Sequence, residues 1–176
     1  MAGDDPLGQA GPFPIAKINQ VAMVVRDLEA AVRSYWEQFG IGPWRIIEFN
    51  AETVREMTYR GKTQPYAMRI ALAMQGDLQL ELIESLQGPN IYEDFLRDHG
   101  EGMHHFGIVV PDVRAAMQDM EARGYTMIQS GLGTGVQGDG GYAYFETERQ
   151  IATTIELIEL PKERVAPARI YPADAV

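Results

Sequence analysis

The sequence contains no cysteine among its 176 residues. A disulfide framework and a thiolate metal site are therefore both excluded, so any metal site must use oxygen and nitrogen ligands. The chain also lacks an apolar run long enough to span a membrane, and its first residues lack the basic start and apolar middle of a signal peptide. Together these absences predict a cytoplasmic protein with no membrane partner.

Positive charge is scarce relative to negative charge. The chain carries 15 Lys and Arg residues against 25 Asp and Glu residues, which gives a net charge of −10. A nucleic acid backbone or an anionic membrane would repel such a protein, so we expect a small-molecule substrate and no nucleic acid partner. The hydrophobic content of 45% is enough for one compact domain or two small, tightly packed halves.

An internal repeat organises the chain. Residues 19–32 read NQVAMVVRDLEAAV and residues 104–117 read HHFGIVVPDVRAAM, so one shift places Gln20 on His105 and Asp27 on Asp112. A second repeated segment, LELIE after the first copy and IELIE after the second, is related by a shorter shift. Two copies are too few for a solenoid, so the repeat predicts two modules of one design. Each module opens with a strand and an Asp-capped helix and closes with a glutamate-bearing strand.

The repeat places four polar residues in matching positions of strands that are otherwise apolar: Gln20, Glu81, His105 and Glu156. Period-two alternation puts Glu81 on the face opposite Leu80 and Leu82, and Glu156 has the same setting in its strand. Two carboxylates, one imidazole and one amide oxygen make a ligand set for a divalent metal ion. Zinc, nickel, cobalt, manganese and iron(II) all suit this set.

Such an ion would stabilise the oxyanion of an enolate or enediolate while a carboxylate moves the proton. Glu81 and Glu156 are the candidate catalytic residues for that step. His104 adjoins His105 in the strand and is predicted to face the other way, without a role as a ligand. The glycine-rich segment 131–141 predicts an irregular loop that acts as a flap over the site.

These residues and the repeat resemble the vicinal oxygen chelate superfamily, which contains glyoxalase I, methylmalonyl-CoA epimerase, bleomycin resistance proteins and extradiol dioxygenases. The segments GMHHFGIVV and LELIE are most similar to the epimerase branch, in which the second histidine, here His105, is the ligand. Gln20 stands where epimerases usually carry histidine and resembles the zinc glyoxalases of eukaryotes. Gln64 and Pro65 occupy the place of an epimerase acid/base glutamate.

The resemblance implies an α+β fold in which two tandem βαβββ modules form a curved, half-open mixed sheet around a central metal site. It implies a metal-dependent lyase or isomerase that acts on a small carbonyl, α-hydroxy acid or acyl-CoA substrate, and a homodimer. Two alternatives remain: a non-catalytic, ligand-sequestering protein of the resistance type, and an iron(II) dioxygenase of the extradiol type. The expected segments are a flexible leader, a first module, a connecting helix, a second module and a C-terminal tail: 1–16, 17–88, 89–102, 103–160 and 161–176.

Overall fold

A computed structural model describes residues 12–173, so residues 1–11 of the predicted leader lie outside the described part of the chain. The strands, in chain order, are β1 (Gln20–Val24), β2 (Trp44–Phe49), β3 (Glu56–Tyr59), β4 (Lys62–Thr63), β5 (Ala67–Gln75), β6 (Leu78–Gln87), β7 (Gly102–Val109), β8 (Met127–Thr134), β9 (Gly140–Phe145), β10 (Thr154–Glu159) and β11 (Arg169–Tyr171). The helices are α1 (Leu28–Phe39), α2 (Ile91–Asp98), α3 (Val113–Ala122) and α4 (Glu148–Ile151).

All of these strands belong to one mixed sheet in the order β11-β2-β5-β6-β1-β7-β10-β9-β8-β3-β4. Within the first module, β1 pairs in parallel with β6, and β7 pairs in the same way with β10 in the second. The modules meet where β1 and β7 pair antiparallel. The predicted α+β class with a mixed sheet that does not close on itself is confirmed.

The repeated helices start where the sequence places their caps. The side chain of Asp27 accepts a hydrogen bond from the backbone N–H of Ala30, and that of Asp112 accepts one from Ala115, each at 2.9 Å. These bonds satisfy backbone donors that have no partner within the helix. Gly40 ends α1 with φ at 66°, a left-handed conformation that glycine adopts without steric cost. Helix α2 begins after Asn90, within the predicted connecting helix.

The two faces of the sheet have different partners. Helix α1 packs on β5 and β6, and α3 packs on β9 and β10. Leu28 and Val32 of α1 are buried against Leu82 of β6, and burial of each such side chain is worth about 1.5–3 kcal/mol. The opposite face, called the inner face here, carries a separate apolar cluster that includes Ala22 and Tyr144. The four predicted ligands belong to the central strands β6, β1, β7 and β10.

The glycine-rich segment 131–141 differs from its prediction. Residues 131–134 complete β8 and residues 140–141 begin β9, so the connecting loop spans only residues 135–139. Glycine is required here by packing, because a Cβ on Gly131 would lie 2.2 Å from Cζ of Tyr142. The prediction of an irregular flap was therefore wrong for most of the segment. Strand pairing overrides the low strand propensity of glycine.

Three short elements add to the predicted modules. The β3–β4 hairpin lies between β2 and β5 in the chain but pairs with β8 of the second module. Strand β11 lies within the predicted tail and pairs with β2, and α4 precedes β10. Across residues 12–173, no helix has both the length and the apolar character required to cross a membrane.

Candidate metal centre

Strand register brings the four predicted ligands together in two neighbouring rows of the sheet. In one row, Glu81 lies opposite Ala22, which lies opposite His105 on its other side. In the other row, Gln20 and Glu156 lie on either side of Gly107. The two rows are related by the repeat. Each module therefore contributes one residue from its opening strand and one glutamate from its closing strand.

The three ionisable members of this set converge at one point. His105 Nε2 lies 3.1 Å from Glu156 Oε2 and 3.5 Å from Glu81 Oε2. One ligand atom of each residue lies within 4.8 Å of those of the other two. All three residues are buried, with at most 6% of their surface exposed. A single ion could contact all three at once.

Four buried polar atoms at this point have no hydrogen-bond partner: Gln20 Oε1, Glu81 Oε2, His105 Nε2 and Glu156 Oε2. Although His105 Nε2 is at ion-pair distance from both carboxylates, it has hydrogen-bond geometry to neither. Leaving a buried polar atom unpaired costs about 1–3 kcal/mol, and more when it is charged. A divalent cation would satisfy all four atoms, and the residues present therefore fit a metal.

Two neighbouring residues leave the side-chain oxygen of Gln20 available to bind a metal ion. Its Nε2 donates to Gln79 Oε1 at 2.9 Å, which leaves its carbonyl oxygen as the free group. Gly107 provides the space, because a Cβ there would lie 2.6 Å from Gln20 Oε1 and 2.8 Å from Gln20 Cβ. Sequence reasoning missed Gln79, although it lies two residues before Glu81 and so shares its face of β6.

A β-bulge changes the predicted position of His104. The β1–β7 register shifts between Ala22 and Met23, opposite His105 and Met103, so His104 is the extra residue. Its ring does not face away from His105 as predicted: the two Nδ1 atoms lie 2.9 Å apart. Bulges redirect side chains in this way. If His105 donates its Nδ1 hydrogen to His104, its Nε2 is the nitrogen that would bind a metal ion after losing its own proton.

Burial and charge shift the ionisation of this cluster. Burial, together with the charge of His105, lowers the pKa of His104 well below its usual value, so His104 is neutral. Burial alone would also lower the pKa of His105, but the negative charges of Glu156 and Glu81 outweigh it and raise the pKa to about 9. Burial raises the pKa of Glu81 to about 7. Without a metal, this site therefore retains protons near neutral pH.

Tyrosine hydroxyls line the second-module side of the site. Tyr66 donates to the backbone oxygen of Ser130 at 3.0 Å and lies 2.9 Å from the hydroxyl of Tyr142. Because the hydrogen of Tyr66 is used, Tyr142 is the donor in that pair. The hydroxyl of Tyr144 instead accepts from Tyr92 at 2.9 Å. The hydrogen of Tyr144 is left for a group in the cavity.

A cavity of about 120 Å³ opens beside the cluster on the inner face. Its floor includes Gln20, Glu81 and Glu156, while Tyr142 and Tyr144 form part of its wall. Side chains of β2 and β5 make the facing wall apolar: Ile47, Phe49, Met68, Ile70 and Leu72. A small molecule in this cavity would meet the free atoms of the ligand set.

Several known structures have a similar fold. The structure is similar to that of a methylmalonyl-CoA epimerase variant from Streptomyces coelicolor in complex with 2-nitronate-propionyl-CoA, at 20% identity and a TM-score of 0.62, covering 83% of this chain and 98% of that chain. Methylmalonyl-CoA epimerase from Mycobacterium tuberculosis is similar at 20% identity and a TM-score of 0.61, covering 84% and 91%. These likenesses show a shared fold.

The sequence comparisons are more limited. A search of curated proteins gave no match. A family model described as the Glyoxalase/Bleomycin resistance protein/Dioxygenase superfamily matches residues 19–145, which include Gln20, Glu81 and His105 but not Glu156. The match spans both modules and covers most of the chain. The predicted resemblance is thereby confirmed: this chain belongs to the glyoxalase/bleomycin resistance protein/dioxygenase superfamily.

Proposed function

We propose that this protein holds one divalent metal ion and catalyses proton transfer in a small substrate with two neighbouring oxygens, as a lyase or isomerase. The ligands would be the four residues whose buried atoms lack partners: Gln20, Glu81, His105 and Glu156. That observation supports the proposal most strongly, because buried polar atoms are normally paired, and one divalent ion would pair all four at once. Zinc, nickel, cobalt, manganese and iron(II) remain compatible with the donor set.

The bound ion would act as a Lewis acid that lowers the energy of the enolate form of the substrate. The residues of the chain perform the remaining tasks. One of the two glutamates, Glu81 or Glu156, takes the proton from the carbon next to the carbonyl and returns it. The free hydroxyl hydrogen of Tyr144 is donated to a substrate oxygen, and the apolar wall excludes water from the reacting carbon.

The substrate proposed here is an acyl-CoA thioester or an α-hydroxy-carbonyl compound. Support comes from the fold shared with methylmalonyl-CoA epimerases and from the apolar wall beside the ligand set. One feature differs from a two-base epimerase: the side chain of Gln64 donates to its neighbour Pro65 at 3.0 Å and is not part of the cavity wall. Removal and return of the proton are therefore both assigned to one glutamate, Glu81 or Glu156.

Metal content is the first test. We expect about one equivalent of divalent metal in the purified protein. His105→Ala and Glu156→Gln should each lower metal affinity by more than about 100-fold, because even the loss of a residue that only hydrogen-bonds to a ligand lowers metal affinity by about 10–100-fold. Elemental analysis and metal titration provide the measurement. His99→Ala is the matched control, since His99 stacks on Phe95 and is not one of the residues that converge on the site. Metal-free wild-type protein after reconstitution would refute the site.

Proton exchange is the second test. In deuterated water, the metal-loaded protein should exchange the proton next to the carbonyl of its substrate, which NMR detects without knowledge of the product. Methylmalonyl-CoA, other acyl-CoA thioesters and α-hydroxy-carbonyl compounds form the panel. Glu81→Gln and Glu156→Gln should each slow exchange, and the variant with the larger effect at saturating metal identifies the principal base.

A ligand-sequestering protein is the second candidate, because the largely apolar wall would suit a bound hydrophobic molecule. Tight binding of an apolar ligand together with absent exchange across the panel would favour it. The dioxygenase alternative has less support, since it requires a second histidine ligand and His104 bonds to His105 instead. The homodimer and the cytoplasmic location stay predictions.

A further inference from the structure

The chain after β10 crosses the mouth of the cavity. We call residues 160–171 the C-terminal strap. Its first part is fixed to the loop between β8 and β9: the N–H of Val136 donates to the backbone oxygen of Glu163 at 3.0 Å. Pro161 packs so closely on this loop that a Cβ on Gly135 would lie 2.3 Å from Cβ of Pro161. The strap therefore begins on the second module.

The far end of the strap is fixed to the first module. Strand β11 pairs with β2, and the N–H of Ala168 donates to the backbone oxygen of Ile46 at 2.9 Å. Arg169 forms an ion pair with Glu29 of α1. Residues 164–167 therefore span the distance between two anchors on opposite modules. Of the residues in or beside this span, Arg164 and Val165 line the cavity.

Among the described residues, Arg164 is the only basic one in the cavity lining. Within residues 12–173, no ion pair or side-chain hydrogen bond involves Arg164, although the chain has ten more acidic than basic groups. Arg69 and Arg169, by comparison, pair with Glu84 and Glu29. An exposed guanidinium at the mouth of a pocket attracts anions.

The other charges of the lining are already engaged. Glu81 and Glu156 belong to the metal ligand set, and their two negative charges would balance a divalent ion. The third lining carboxylate, Glu159, accepts a hydrogen bond from the N–H of Val113 at the start of α3, at 2.9 Å. The positive end of that helix stabilises its charge. Arg164 is left as the one uncompensated charge that a substrate would meet.

We propose that Arg164 binds an anionic group of the substrate. The substrate is then an organic anion with two neighbouring oxygens at one end, an apolar body in the middle and a negative charge at the other end. The apolar wall of β2 and β5 accommodates the body. This inference rests on the proposed metal function for the chelating end. The anionic group is either a carboxylate or the phosphate of a thioester carrier.

Matched hydroxamates test the charged end, because a hydroxamate supplies two neighbouring oxygens to a metal. Octanohydroxamate and suberic acid monohydroxamate differ only in the end group, a methyl or a carboxylate. Binding to cobalt-loaded protein is followed by the visible absorption of the ion. We expect wild type to bind the carboxylate probe about fivefold more tightly, as for one exposed ion pair. Arg164→Gln should lose this preference and Arg164→Lys should keep most of it.

Arg149→Gln is the control variant. Arg149 is exposed and outside the cavity lining, so the substitution removes the same charge from the chain. An equal loss of preference in Arg149→Gln, or no preference in wild type, would overturn the proposal. Competition by free coenzyme A that depends on Arg164 would identify a phosphate as the anionic group, and its absence would assign a carboxylate.

Failure of the metal site is distinguishable from failure of this proposal. If wild type binds no cobalt, the proposed function is refuted. Calorimetric titration of the metal-free protein with octanoate and octanamide then compares a charged end group with a neutral one. A preference for octanoate that Arg164→Gln removes would support anion recognition by Arg164 even then. Equal binding of both molecules would overturn it.

Discussion

The two modules have the same strand arrangement but surround their glutamates with different side chains. Across the β5–β6 pair, Leu72 lies opposite Glu81, whereas at the equivalent place across the β9–β10 pair, Tyr144 lies opposite Glu156. Ile70 of β5 and Tyr142 of β9 occupy another two equivalent positions of the modules, and they show the same contrast between an apolar side chain and one with a hydroxyl group. The duplicated backbone therefore positions the four candidate ligands, while the neighbouring strands determine the polarity around each glutamate.

This difference gives the cavity an orientation. The first module provides an apolar wall, and the second provides hydroxyl groups. A substrate bound between them would place its hydrocarbon part against β2 and β5 and its oxygens towards β9. Glu81, next to the apolar wall, has its pKa raised by burial to about 7. The two halves of the candidate ligand set thus differ in chemistry, and four further experiments test that difference.

The pH dependence of metal binding should show the largest effect. His105, with a pKa raised to about 9, and Glu81, with a pKa raised to about 7, must both lose a proton before they bind an ion. Apparent affinity should therefore rise by about tenfold per pH unit from 7 to 9, more steeply below 7, and level off above 9. Metal titrations between pH 6 and 9.5 measure this, and affinity independent of pH would contradict it.

Glu81→Gln sharpens the comparison between the modules. This variant should bind metal more weakly at every pH and should lose the steeper dependence below pH 7, because the group from the first module no longer titrates. A dependence of about tenfold per pH unit, which belongs to His105, should remain but should level off at a lower pH than in wild type, because Glu81 no longer helps to raise the pKa of His105. An unchanged slope below pH 7 would show that Glu81 is not the group responsible.

The small residues between the ligands should give an intermediate effect. Gly107→Ala places a methyl group where Gln20 Oε1 and Cβ lie, so we expect a loss of about 1–3 kcal/mol in stability and about tenfold in metal affinity. Ala22→Gly at the equivalent position is the control and should cost only about 0.5–1 kcal/mol, with metal affinity unchanged. Chemical unfolding and metal titration provide the measurements; equal effects would argue against the close approach at Gly107.

The smallest expected effect concerns the two tyrosines. Tyr144→Phe removes a hydroxyl whose hydrogen is free, whereas Tyr142→Phe removes one that donates to Tyr66. Acetohydroxamate should therefore bind the cobalt-loaded Tyr144→Phe protein about fivefold more weakly, as expected for one hydrogen bond, and the Tyr142→Phe protein about as tightly as wild type. Equal losses would mean that hydrogen-bond direction does not distinguish them.

Much of the fold and of the candidate site was predictable from the sequence because the repeat carries the same signals twice. Helix caps, apolar periodicity and alternation within β6 and β10 depend on local sequence, and they indicate which face each glutamate occupies. Pairing Gln20 with His105 required only that equivalent strands take equivalent places. The register then brings the four residues into adjacent rows, which the repeat implies without giving distances.

What the sequence did not reveal depends on contacts between distant segments. The strands within residues 131–141 form because Tyr142 packs over Gly131, an interaction that glycine propensity opposes. The meeting of His104 and His105 follows from a bulge, whose position no local pattern indicates. The hairpin β3–β4 and strand β11 are short and polar, and only their partners in the sheet stabilise them.

The antiparallel pairing of β1 with β7 is the only direct strand contact between the central parts of the two modules within residues 12–173. Two of the proposed ligands lie on each side of this boundary, so an ion held by all four would crosslink the modules at their junction. Its binding energy would then oppose separation of the halves, and the melting temperature would rise with free metal concentration. Removal of the ion would weaken the cooperativity of unfolding as well as the chemistry of the site.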